Sequence, residues 1–200
     1  VPAVFVYESD LTNAQGYQTF LNANQFPTTI LTESQAATYV YTGVQVVIIG
    51  YDFGAHGSGI AADASAIYNT GLPILGMGDG GTYFFFFNGP SAFQTGNTAT
   101  NTRGAVNVVD PTNPVWSSLY TVSTASPVTL YNPDCTTVEP YLPSGAALTL
   151  IGQDSIQSGY YPVANQVISG HNYIVWGFEG SASTMTAQGQ LLFLNLLYSL

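Results

Sequence analysis

The sequence predicts an α/β domain, with a mostly parallel sheet, helices on both faces and an added antiparallel β region from about residue 105 to 168. Three observations lead there. Near-continuous apolar runs at residues 3–7 (AVFVY), 44–49 (VQVVII) and 73–77 (PILGM) are separated by helix-length segments, the pattern of strands buried on both faces by right-handed crossovers. The stretch 71–87, GLPILGMGDGGTYFFFF, reads as a buried strand that turns on Gly76, Gly78, Gly80 and Gly81 into an apolar helix beginning near Thr82. Beyond Pro90, short β segments are broken by Pro, Asn, Gly and Ser, which suits antiparallel connections.

Taken in order, residues 3–7 form a strand, Asp10 caps a helix running to about Asn24, and Pro27 ends that connection. A strand at 28–32 leads to Glu33 and a short helix capped by Ser34. The strand at 44–49 ends in Gly50-Tyr51-Asp52 and a glycine-containing loop with His56, and a helix over about 59–70 returns to the strand at 73–77. Residues 91–103 read as polar loop; strands follow at 105–109, 128–131, 147–151, 163–168 and 173–178. Thr184 or Ser183 caps a terminal helix whose apolar face carries Leu191, Leu192, Leu194 and Leu197. Pro111, Pro114, Pro127, Pro133, Pro140 and Pro143 read as rigid turns and strand edges that protect against pairing with other chains, or shape an assembly surface. All 200 residues read as one domain.

Charge bounds the partners. Arg103 is the only Lys or Arg against eleven Asp plus Glu, a formal charge of −10, so no basic patch exists for nucleic acid or anionic membranes. No apolar run approaches the roughly 18 residues of a membrane span. Only 6% of residues are charged, and Asn, Thr, Ser, Gln and Tyr take the surface. Such uncharged polarity responds little to pH and suits an extracellular or cell-surface setting, reached after removal of a signal peptide that would leave Val1 as the first residue. It also predicts a melting temperature nearly flat from neutral to about pH 4. Cys135, the only cysteine, excludes an internal disulfide and reads as a buried thiol.

Two segments resemble the class I glutamine amidotransferase-like domain, a flavodoxin-like α/β fold. PILGMGDGG (73–81) is similar to that family's strand and elbow, and VWGFEGSASTMTAQGQLLFLNLL (175–197) to its final strand, catalytic loop and last helix. The order of elements from Val4 to Phe87 agrees, while residues 91–170 do not align. The resemblance implies a cysteine nucleophile at position 78, where this chain has Gly78. It implies a histidine and glutamate in the last loop, where only Glu179 remains. His171 falls at the start of the last strand, the end opposite the elbow. The chain therefore reads as a degenerate member lacking the catalytic Cys and His, with the elbow kept as Gly76, Gly78, Gly80 and Gly81.

Five acids, Glu8, Glu33, Asp52, Asp79 and Glu179, fall at predicted strand carboxyl ends, where α/β sheets bind ligands. Glu8, Asp52, Asp79 and Glu179 converging there suit a hard cation such as Ca²⁺. A pair of them, Asp79 with Glu179 or Asp52, suits acid and base work on a glycan stacked near Tyr7, Tyr51, Phe53 and Trp176. The plain alternative is that these acids cap helices against the dipole. His56 reads as a surface histidine before a metal ligand, and Tyr83 to Phe87 as helix core before a cofactor box. The function expected is a non-catalytic secreted structural or binding domain that meets other protein subunits, itself or a glycan; the competing class is an acid-acting glycan hydrolase.

Overall fold

The computed structural model describes residues 1–54, 60–94, 98–142 and 148–200, with only the backbone of Ile60. The readings of His56 and Pro143 lie outside the described residues. Elements follow in the order β1 (Ala3–Tyr7), α1 (Leu11–Ala23), β2 (Thr28–Thr32), α2 (Glu33–Thr38), β3 (Val46–Ile49), α3 (Ile60–Tyr68), β4 (Ile74–Met77) and α4 (Gly78–Phe87). Then come β5 (Thr98–Arg103), β6 (Ala105–Val108), β7 (Val128–Thr129), β8 (Cys135–Pro140), β9 (Thr149–Asp154), β10 (Val163–Ile168), β11 (His171–Trp176) and α5 (Ala187–Ser199).

Among the described residues, nine strands form one sheet in the order β2-β1-β3-β4-β11-β10-β9-β6-β7. The first five run parallel; Val4 lies beside Val47 in that register. From β11 onward every pairing is antiparallel. The expected architecture is therefore present, with the antiparallel region continuing the same sheet.

Strand alternation sorts the core onto two faces. Ala3, Phe5, Val46, Ile48, Leu75, Ile174 and Trp176 meet α1 and α5, through residues such as Tyr17, Leu21 and Phe193. Val4, Val6, Val47, Ile49, Ile74 and Val175 meet the layer of α2, α3 and α4, through Ala36, Ala64, Ile67, Phe84 and Phe85. Tyr83 to Phe87 follow the core expectation in part: Phe84 and Phe85 are buried, whereas Phe86 is exposed.

Several local expectations are corrected. Residues 91–103 are not all loop: β5 pairs with β8, a strand over Cys135–Pro140 that the sequence reading lacked, in a separate two-stranded ribbon. Both strands are threonine-rich and polar, and they find each other across about thirty residues, so local pattern carried little signal. The cap of α2 is Thr32, not Ser34, because Thr32 and Gln35 form a reciprocal capping box. The cap of α5 is Thr186, whose hydroxyl accepts from Gly189 N–H. α4 starts at Gly78 rather than near Thr82, with no separate turn between it and β4.

Candidate functional site

Because β1, β3, β4 and β11 are parallel neighbours, the segments after them meet at one edge of the sheet. Those segments are Glu8-Ser9-Asp10, Gly50-Tyr51-Asp52, Gly78-Asp79 and Gly177-Phe178-Glu179-Gly180.

The elbow is tightly closed. Gly78 has φ +49°, a conformation L side chains rarely adopt, and a Cβ there would lie 2.4 Å from Glu179 Cγ and 2.9 Å from Tyr51 Cβ. The other three glycines serve close approach: a Cβ on Gly81 would sit 2.3 Å from the Gly76 carbonyl carbon, one on Gly76 2.7 Å from the Phe85 ring, and one on Gly80 2.3 Å from the Gly50 carbonyl oxygen. The first turn of α4 thus lies directly on the ends of β3 and β4.

The four acids form two pairs, each engaged with backbone N–H groups. Asp52 Oδ2 accepts from the N–H groups of Glu8 (3.1 Å), Ser9 (2.7 Å) and Asp10 (2.7 Å), so it ties the β3 end to the turn entering α1. Glu8 is half-buried at the end of β1. Glu179 Oε1 accepts from Asp79 N–H at 2.9 Å, occupying the N-terminus of α4, while Asp79 itself is exposed. Burial pushes the Glu179 carboxyl above the ordinary range, the Asp79 N–H pulls it back, and the Asp79 charge adds to the rise. Glu33 stands apart at the end of β2, where it accepts from Gly54 N–H at 2.6 Å. Burial, with the charges of Glu8, Asp63 and Asp52, raises it to about 7 against that hydrogen bond. Among the described residues, no three His, Cys, Asp or Glu side chains are placed to hold a metal ion.

What opens at this edge is a cleft of about 470 Å³ between the start of α1 and the last loop, bordered by Asp10, Asn13, Tyr51, Glu179, Ser181 and Ser183. Asp10 caps α1 through Asn13 N–H at 2.9 Å and accepts a short hydrogen bond from the Tyr51 hydroxyl. Burial and that bond keep Tyr51 protonated. Of the expected site residues only Glu179 and the stacking candidate Tyr51 reach this cleft. The sequence points to Asp10 and Ser183 only as helix caps and to Ser181 not at all; a two-residue spacing of serines after a strand is the slight signal of their place at the cleft.

A buried chain of polar groups fixes the last loop. Trp176 Nε1–H donates to the Tyr131 hydroxyl at 3.0 Å, Tyr131 and Tyr17 hydroxyls are 2.9 Å apart, and Tyr17 donates to the Gly180 carbonyl oxygen at 2.8 Å. Since the Tyr17 proton goes to Gly180, Tyr131 donates to Tyr17, and every hydroxyl is satisfied. Cys135, half-buried at the start of β8, lies against this loop; a Cβ on Gly180 would be 3.1 Å from its Sγ. Burial raises the thiol, outweighing the pull of the Gly180 and Glu179 N–H groups, and keeps it neutral. His171 Nδ1 is 2.8 Å from the Gly71 carbonyl oxygen, before β4 begins and so at the far end of the sheet.

No protein-family model and no curated protein matches this sequence. Solved structures do. A GMP synthase-type protein from Thermoplasma acidophilum aligns at 11% identity with a TM-score of 0.61, covering 98% of this chain and 92% of that one. A ThuA-like protein from Bacteroides uniformis gives 13% and 0.61 over 97% and 88%. The glutaminase domain of the Trypanosoma brucei CTPS, with bound acivicin, gives 16% and 0.59 over 100% and 94%. At such identities the likeness is one of architecture, and the chain has the fold of the class I glutamine amidotransferase-like domains.

Proposed function

We propose that this chain uses the amidotransferase-like fold without its chemistry, as a secreted structural or binding domain of an extracellular or cell-surface assembly. The observation that carries the reading is Glu179 lying against Gly78. The position of the family's nucleophile has no side chain, the space for one is filled, and the adjacent helix N–H is taken by the filling carboxylate. The remaining thiol, Cys135, is half-buried, and burial, with the Glu179 charge, raises it and keeps it neutral. The surface supports assembly: with one cation in 200 residues, contacts must come from hydrogen bonds and aromatic groups, which tolerate changes of pH and salt better than ion pairs do.

The purified protein is expected to release no ammonia from glutamine and no reducing ends from a panel of glycans between about pH 3 and pH 7. Protein isolated from its native source is expected to sediment as a polymer or complex. Turnover of a glycan that Glu179→Gln abolishes would replace this reading with the hydrolase, since Glu179 and Asp10 border the same cleft. A strict monomer from the native source would remove the assembly role.

A further inference from the structure

Far in sequence from the elbow, the ribbon of β5 and β8 carries a carboxyl group that the proposed function does not use. Glu139, on β8, is fully buried, and Asp154, at the end of β9, is 2% exposed. They lie within hydrogen-bonding reach of one another. Asp154 is the better supplied. Arg103 Nε approaches both of its oxygens at 3.1 Å, and its Oδ1 also accepts from the N–H groups of Ile156 (2.7 Å) and Gln157 (3.2 Å). Glu139 receives one donor, Asn101 Nδ2 at 3.1 Å on Oε2, and Oε1 has no donor among the described residues. Two buried carboxylates within reach of one another, one of them with an oxygen that has no donor, are strongly unfavourable together, whereas a carboxyl O–H on Glu139 that donates to Asp154 removes the conflict.

We infer that Glu139 and Asp154 share one proton, making an acid-closed latch that holds the β5–β8 ribbon, and through it the Glu179 loop, against the main sheet. The mechanical connection is direct. Val138 N–H donates to the Gly177 carbonyl oxygen at 2.7 Å, Glu179 N–H donates to the Thr136 carbonyl oxygen at 2.9 Å, and Thr137 bridges Phe178. β5 and β9 are thus joined across the latch by Arg103 and Asp154, and β8 by Glu139. The other titratable groups on segments packed against β8 are Asp79 and Tyr83 of α4, Glu179 of the last loop, and Tyr160 and Tyr161 opposite Tyr141 and Pro140. None is positive, and the only Lys or Arg in the chain is already on Asp154. Burial, the Asp154 hydrogen bond and its charge raise Glu139 to about 8 against the pull of the Asn101 hydrogen bond and the Arg103 charge. Asp154 is held low although burial alone would raise it, because Glu139, the Ile156 N–H and Arg103 all favour its ionised form.

The test follows the Glu139 side-chain carboxyl carbon by NMR in the wild-type protein. The expected result is a resonance that stays protonated at about pH 6 and titrates well above the ordinary glutamate range. A Glu139 ionised already at about pH 5 overturns the latch. In parallel, hydrogen exchange corrected for intrinsic rate compares about pH 5 with about pH 9. Amides of β5, β8 and residues 177–179 are expected to lose protection several-fold at the higher pH, with β1 and β3 unchanged; uniform loss across the sheet overturns the proposal. Glu139→Gln supplies a neutral donor to Asp154 and should abolish that pH dependence, and a variant with the wild-type slope refutes the assignment. Should Glu139→Gln fail to fold, the wild-type resonance decides alone.

Discussion

Placing any side chain on Gly78 combines left-handed backbone strain with a contact that cannot persist, since its Cβ would fall 2.4 Å from Glu179 Cγ. Gly78→Cys is expected to lose about 2–4 kcal/mol in denaturant melts and to gain no glutaminase activity. Adding Glu179→Ala should recover part of that loss, because the nearest clash partner is gone; a double variant no more stable than Gly78→Cys would show that backbone strain and the remaining Tyr51 contact account for the loss. Asp79 behaves differently. Its side chain is exposed, and its charge both favours the α4 N-terminus and disfavours Glu179, so Asp79→Asn should shift stability by less than about 1 kcal/mol. Among the described residues no third His, Cys, Asp or Glu side chain joins Asp79 and Glu179 in a metal-binding group, and calcium is expected to leave the melting temperature of both proteins unchanged. Tyr131 is the opposite case, since Tyr131→Phe leaves the buried Trp176 N–H without an acceptor and removes the donor to Tyr17, a loss of about 1–3 kcal/mol readable in a thermal melt.

At the scale of elements, α5 shows how far a helical pattern can understate burial. Its leucines marked one apolar face, yet Leu192 through Leu197 are all buried, Asn195 among them. Asn195 Oδ1 accepts from the N–H groups of Leu119 and Tyr120, and its Nδ2 donates to the carbonyl oxygens of Val115 and Tyr120, so one side chain binds the 115–120 segment to the helix. Asn195→Leu, nearly the same size, strands four backbone groups and is expected to cost about 3 kcal/mol or more. A loss under about 1 kcal/mol would mean that water or a rearranged segment satisfies those groups. The β5–β8 ribbon is the element least visible beforehand. Its Thr and Asn residues match a polar loop as well as a strand, and what selects the strand is pairing with β8 and docking on residues 177–179.

For the whole molecule, pH dependence departs from the flat profile that composition suggests. Glu33 and Glu139 have folded values raised to about 7 and about 8, and Glu179 is raised as well. A carboxyl raised on folding keeps its proton where the unfolded chain has released it, so folding takes up protons between the two values. The stability from these groups is fully present below the unfolded value of about 4.5 and is lost as pH rises to about 8. The melting temperature is therefore expected to climb by several degrees on acidification from about pH 8 to about pH 5, with Glu33→Gln and Glu139→Gln each removing part of the slope. A scan flat over that interval would mean that these acids titrate normally. Few ionisable groups do not imply weak coupling to protons when the few are buried.

The sequence by itself determined the alternation of apolar strands with helices, the parallel β1–β4 half, the glycine elbow at residues 76–81 and the absence of a basic surface, because each rests on residues close together in the chain or on composition alone. The helix-capping alternative for the acids was legible for the same reason. Tertiary structure alone decided which carboxylates meet. Asp52 reaches back 42 to 44 residues to the start of α1, Glu179 reaches 100 residues to Asp79, and Glu139 on the ribbon comes within reach of Asp154 on the main sheet. The energy of a buried charge depends on how many donors the fold brings within about 3 Å and how much water it removes, and neither quantity has a signature in local sequence.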